Sequence, residues 1–180
     1  MKAYESVKEE VRDMENLLHK YLVRLNEPDE EKPGFREKYL GGRFGGDREL
    51  AQSLKKDKSE PLLRQLVDAT RQSIEDTITA YLIEHDEQFR DMYILSEDIK
   101  FMEHQALKTF EGEDTGVRKD SMLDVYKKAA SYLGFMVSDD MKDPEAGVLA
   151  YDLSNARRLL EHRVNEYVAQ TRSDIKKDVS

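Results

Sequence analysis

A run of 50 residues without glycine or proline, from Leu62 to Glu111, constrains the fold of this chain more than any other feature. Apolar residues recur through it at helical spacing, which predicts helix. The stripe consists of Leu63, Val67, Thr70, Ile74, Ile78, Tyr81, His85, Phe89, Met92, Leu95, Ile99, Met102, Ala106 and Phe110. A single helix would be about 75 Å long. We therefore expect two consecutive helices, or one bent helix, with the break near Ser96, Glu97 and Asp98, where serine can cap a new helix.

The N-terminal segment has a stricter apolar periodicity, alternating between three and four residues. This N-terminal seam is formed by Tyr4, Val7, Val11, Met14, Leu18, Tyr21 and Leu25. The pattern is typical of a coiled-coil-like helix, and Pro28 ends it. Because an isolated helix of this length is marginal in water, the seam must pack on its own bundle or on a neighbouring chain. We expect a homodimer formed through this helix.

Residues 27–46 contain five of the nine glycines and are predicted to be a flexible connection within a single domain of residues 1–180. Basic and aromatic residues alternate here, so that rings can stack and arginine can pair with phosphate or carboxylate. Phe35, Tyr39, Arg43 and Phe44 are therefore the predicted partner-binding residues. The alternative is that these aromatic side chains pack on the bundle.

Capping residues predict the remaining helices. Asp120 or Ser121 caps a helix that Gly134 ends, and Asp143 with Pro144 begins the last helix. No segment shows the alternation typical of a strand. The sequence therefore predicts an all-α, elongated helical bundle of about four to six helices with coiled-coil-like packing.

Composition excludes several classes of protein. The chain has no cysteine, which excludes disulfide scaffolds and thiolate metal sites. No apolar run approaches the roughly 20 residues of a membrane span. The net charge of −9 argues against general nucleic-acid binding. Because the N-terminus is charged and lacks the apolar core of a secretory signal, we expect a cytoplasmic protein.

Arg157 and His162 form the sharpest chemical motif, an arginine followed by four residues and a histidine. The motif is similar to the signature of HEPN-type ribonucleases, which are small all-α domains that dimerise and cleave RNA without metal. The resemblance implies that the histidine assists proton transfer and the arginine stabilises the phosphorane. The other interpretation is a charged outer face of a helix, with His162 facing solvent.

Glu84, Glu87, Glu111 and Asp114 follow an ExxE and ExxD order. This order resembles that of MazG-type nucleotide pyrophosphohydrolases, in which such carboxylates hold Mg²⁺ around a pyrophosphate. Chance is the alternative source of the match, since 38 of the 180 residues are acidic.

His85 lies on the apolar stripe, which favours a histidine in the core or at an interface over a metal ligand. We predict neither a metal nor a cofactor. The leading hypothesis is a non-enzymatic helical-bundle protein that associates with itself or with a protein partner, because its apolar seams are long. The alternatives are the HEPN-like ribonuclease and the MazG-like pyrophosphohydrolase.

Overall fold

A computed structural model describes residues 3–27, 45–137 and 143–178, with the stretch 45–59 described by its backbone alone. Most of these residues are helical and none of them lies in a strand, which confirms the all-α prediction. The described helices are α1 Tyr4–Asn26, α2 Gly45–His85, α3 Glu87–Phe110, α4 Lys119–Leu133 and α5 Ala146–Lys177. Their number lies within the predicted four to six.

The long helical run is divided at Asp86, so the predicted break near Ser96 is wrong. The backbone of Asp86 is extended, and its carboxylate accepts a hydrogen bond of 3.0 Å from the amide of Phe89. This aspartate is therefore the N-cap of α3. Ser96 instead lies in the interior of α3 and is buried.

The ends of α4 agree only partly with the predicted caps. Gly134 ends the helix in the left-handed conformation, with φ of 81°, as predicted. Asp120 and Ser121, however, lie inside α4, whose N-cap is Arg118 without a side-chain cap hydrogen bond. Asp120 is an acidic residue in the first turn, where its charge complements the helix dipole.

Helix α5 begins later than predicted. The amide of Leu149 donates to the carbonyl of Glu145 at 3.0 Å, so the helical hydrogen bonding starts at Glu145. Asp143 and Pro144 consequently precede the helix instead of forming its cap and first turn. The predicted helix is present, but it starts at Ala146, two residues after the predicted first helical residue Pro144.

One compact unit consists of Met1–Ile78 and Ile175–Ser180. The N-terminal seam of α1 packs inside this unit, because Val7, Val11 and Leu18 are at most 4% exposed within a single chain. The seam thus packs within its own chain, and the expected association of two chains stays a prediction. A hydrogen bond of 2.8 Å from the Tyr4 hydroxyl to Asp178 also joins α1 to the C-terminal end of the chain.

The second compact unit consists of Thr79–Asp174 and contains α3, α4 and most of α5. Helices α3 and α5 run antiparallel, because contacts with residues later in α3 involve residues earlier in α5. These contacts are Asp86 with Tyr167, Glu103 with Arg157, and Phe110 with Gly147. The largest fully buried side chains of this unit are Phe89, Ile99, Met122, Leu149, Leu153 and Leu160.

Helices α2 and α5 each contribute residues to both units. That residues 1–180 form a single domain stays a prediction. Among the described helices, none combines the length and the apolar character that crossing a bilayer requires.

Candidate interaction surface

Arg157 and His162 lie on α5 and have different neighbours. Arg157 donates from Nε to Glu103 of α3, and from Nη1 to Glu161 at 2.9 Å. The hydrogen bond to Glu103 raises the pKa of the Arg157 guanidinium above its ordinary value. His162 is 68% exposed, as predicted, and its Nε2 lies 3.0 Å from Glu166 Oε1. Within this unit the arginine joins two helices, and the histidine lies in solvent.

The four carboxylates of the alternative metal site lie at opposite ends of α3. Glu84 and Glu87 precede and begin the helix, whereas Glu111 is its C-cap and Asp114 accepts a hydrogen bond from the following turn. The 24 residues of α3 separate the two pairs by about 36 Å. The described residues contain no group of three or more side chains that could hold a metal ion.

His85 is the last residue of α2, and its side chain is 26% exposed. Its ring lies 4.6 Å from the ring of Tyr81, and its Nε2 lies 3.8 Å from a carboxylate oxygen of Glu84. The histidine is therefore at the edge of the core, because the helix ends there. The four predicted partner-binding residues Phe35, Tyr39, Arg43 and Phe44 lie outside the described residues.

The junction between α2 and α3 is built from side chains that cap both helices. Arg90 donates from Nε to the carbonyl of Ile83 at 2.6 Å and from Nη2 to the carbonyl of Glu84 at 2.9 Å. Asp86 caps α3 and accepts a hydrogen bond from the Tyr167 hydroxyl of α5. That hydroxyl, followed by backbone amides of the first turn, lowers the pKa of Asp86.

Beside this junction is an open groove of about 710 Å³. It is lined by Gln88, Met92, Tyr132, Arg163, Tyr167 and Gln170, together with Glu166 and Ala169. The lining offers hydrogen-bonding groups on aromatic walls, but its residues include no nucleophile paired with a base.

An exposed apolar patch lies where α3 ends and α5 begins. It is formed by Leu107, Phe110, Val148 and Tyr151, which are 44%, 66%, 50% and 67% exposed. The ring of Phe110 lies on α5, since a Cβ added to Gly147 would be 3.0 Å from its Cε2. Val148 and Tyr151 follow Gly147 on the same helix, so the four apolar side chains form one surface.

The apolar stripe predicted from the sequence includes Phe110 but none of the other patch residues, which are Leu107, Val148 and Tyr151. Phe110 follows the periodicity, but it lies in the last turn of α3, where the helix ends and little packs over the ring. Val148 and Tyr151 lie outside the buried stripe of α5 that includes Leu149 and Leu153. Large apolar residues outside a helical stripe were the signal that could have identified this surface.

Comparison of the chain with protein-family models, with curated proteins and with solved structures finds no match. The functional interpretation therefore depends on the geometry and chemistry of the surfaces described above.

Proposed function

We propose that this protein is a non-enzymatic helical interaction protein, which associates with itself or with a protein partner through the apolar patch. The observation that carries the proposal is the exposure of Phe110, whose ring lies against Gly147, and of Tyr151, four residues farther along the same helix, each about two-thirds accessible to solvent. Contiguous exposed apolar surface is typical of protein interaction sites. Aromatic side chains are also enriched at the centres of such interfaces.

The packing of the patch supports this proposal. Phe110 lies against α5 at Gly147, so one edge of its ring is already packed before any partner arrives. A side chain that is ordered in advance loses less conformational entropy on binding. The surface therefore combines exposed apolar side chains with a smaller loss of conformational entropy on binding.

The Phe110→Asp variant tests the proposal, and Phe101→Asp is its matched control. Phe101 is 54% exposed on the same helix, and nine residues of helical rotation place it on the opposite face. We expect wild type and Phe101→Asp to recover the same partner protein, or to form the same oligomer, and Phe110→Asp to lose it at least tenfold. The measurements are affinity capture from the source lysate and sedimentation velocity. Equal capture and equal sedimentation of all three proteins would overturn the proposal.

A further inference from the structure

The junction between α2 and α3 interrupts a stretch of chain that has no residue of the kind that breaks helices. The stretch from Leu62 to Glu111 contains neither glycine nor proline, and Asp86 alone separates the two helices. The backbone of Asp86 is extended, with φ of −120° and ψ of 104°. Helical hydrogen bonding nevertheless reaches this residue from both sides. Its amide donates to the carbonyl of Leu82 at 2.8 Å, and its carbonyl accepts from the amide of Arg90 at 2.9 Å.

Within the described residues, three backbone hydrogen bonds of a continuous helix are missing at this junction. They are the bonds from the amides of Glu87, Gln88 and Phe89 to the carbonyls four residues earlier. Side chains act in their place. Arg90 donates to two of these carbonyls, and the Asp86 carboxylate accepts from the Phe89 amide. The broken junction and a continuous helix therefore satisfy many of the same backbone groups in two different ways.

The capping position of Asp86 is fixed from outside the junction. The hydroxyl of Tyr167, on α5, donates to the second carboxylate oxygen of Asp86. The Tyr167 ring also lies 5.3 Å from the ring of Phe89, in the first turn of α3. Because this hydrogen bond holds the carboxylate where it caps α3, it stabilises the broken arrangement.

We propose that the junction is a two-state device in which the Tyr167 hydroxyl is the latch. With the latch closed, Asp86 caps α3 and the two helices are separate. With the latch open, the backbone of Asp86 becomes helical, and the first amides of α3 donate to the last carbonyls of α2. The last turn of α2 and the first turn of α3 then form one continuous helix. A large backbone change at one residue where an element ends is a common form of hinge.

The latch also forms part of the wall of the open groove, because Tyr167 and Gln88 both line it. Opening the latch releases the Tyr167 hydroxyl from Asp86 and engages the Gln88 amide with a backbone carbonyl. The hydroxyl is then available to a hydrogen-bond acceptor in the groove, and any such acceptor favours the open state. The device is separate from the apolar patch of the proposed function.

Asp86→Ala and Asp86→Asn are the matched pair of variants that tests the device. Both remove the charge, but asparagine keeps an oxygen that can cap α3 and accept from Tyr167. Alanine cannot cap, and it has the highest helix propensity. The readout is amide hydrogen exchange measured by NMR. The Glu87 amide, the first of α3, gains a carbonyl partner only in the continuous helix.

We expect the Glu87 amide to exchange at least tenfold more slowly in Asp86→Ala than in Asp86→Asn or the wild type. The backbone carbon chemical shifts of residue 86 should become helical in Asp86→Ala alone. Equal, fast exchange in the two folded variants would overturn the inference, because the break would then persist without its cap.

Tyr167→Phe removes the latch and leaves the junction residues unchanged. Loss of one hydrogen bond to a charged group should raise the population ratio of continuous to broken helix about tenfold. Relaxation-dispersion NMR at the amides of residues 87–89 measures this ratio, and Tyr93→Phe should keep the wild-type profile. An unchanged profile in Tyr167→Phe would rule out the latch, whether or not Asp86→Ala folds.

Discussion

The Asp86 carboxylate joins the start of α3 to α5, because one oxygen caps the helix and the other accepts from the Tyr167 hydroxyl. Both hydrogen bonds favour the charged carboxylate, so the pKa of Asp86 in the folded state lies below its ordinary value. A lowered folded pKa contributes stability above the unfolded pKa of about 3.9, and this stability is lost as the pH falls through the folded pKa.

Tyr167→Phe should therefore destabilise the protein in a pH-dependent way. Loss of a hydrogen bond to a charged group should lower the free energy of unfolding by about 1.5 kcal/mol at pH 7. The difference from wild type should be smaller at pH 3 than at pH 7, because this stabilisation is lost as the pH falls through the lowered pKa of Asp86. Urea unfolding followed by circular dichroism at both pH values measures this.

Tyr93→Phe is the control for that experiment, because the Tyr93 ring packs 6.1 Å from the ring of Phe89 on the same side of α3. We expect this variant to keep the pH profile of the wild type. An equal loss of stability in Tyr167→Phe at pH 7 and at pH 3 would contradict the role given to the hydroxyl.

The adjacent arginines of α5 should differ in their contribution to stability. Arg157 is 25% exposed and pairs with Glu103, which is only 13% exposed, whereas Arg158 faces solvent. Arg157→Met leaves a largely buried carboxylate without its donor and should cost about 2 kcal/mol. Arg158→Met should change the free energy of unfolding by less than about 0.5 kcal/mol. Thermal unfolding of both variants at the lowest practical concentration separates the two, and equal effects would show that the ion pair is not structural.

At the scale of elements, the sequence predicted which segments are helical better than where the helices end. Periodicity identifies α1 and the region of α2 and α3, because burial of one face repeats every 3.6 residues. The break at Asp86 was missed because Asp86 and Ser96 are both competent caps, and the choice depends on the Tyr167 hydroxyl from a distant part of the chain. Gly134 was identified correctly because its role is local, set by its own left-handed conformation.

The N-terminal seam gives a prediction at this scale. Val11 is fully buried inside its own chain, so Val11→Asp places an unpaired charge in the core and should lower the free energy of unfolding by about 3 kcal/mol or more. Leu17→Asp on the same helix is the control, because Leu17 is 42% exposed. Far-ultraviolet circular dichroism during heating measures both. A Val11→Asp protein that stays as stable as wild type but loses self-association would show that the seam lies between chains.

At the scale of the whole molecule, the apolar patch could not be predicted from sequence alone. Exposure of Phe110 depends on the end of α3 meeting the start of α5, and this arrangement follows from contacts such as Glu103 with Arg157 that are 54 residues apart. That His162 faces solvent could be predicted from the sequence. The face of a helix on which a residue lies follows from its spacing to the apolar residues of that same helix. Locating the candidate site thus required the tertiary structure, whereas deciding which helix face a single residue occupies did not.

Self-association through the apolar patch would make the stability of the molecule depend on its concentration. Binding to the folded state alone raises stability by RT ln(1 + [L]/Kd). For a self-association Kd of about 10 µM, this amounts to about 1.8 kcal/mol at about 200 µM protein. A chain of this size should then melt about 3 to 6 °C higher at that concentration than at about 2 µM.

Tyr151→Ser should remove this concentration dependence while leaving the fold intact, because Tyr151 is 67% exposed and its loss leaves no cavity. Phe101→Ser, a similar truncation of an exposed aromatic residue outside the patch, should keep the concentration dependence. Differential scanning calorimetry at the two concentrations compares the three proteins. A melting temperature that does not change with wild-type concentration would mean that the folded chain does not pair with itself, since mass action requires the shift wherever folded copies bind each other.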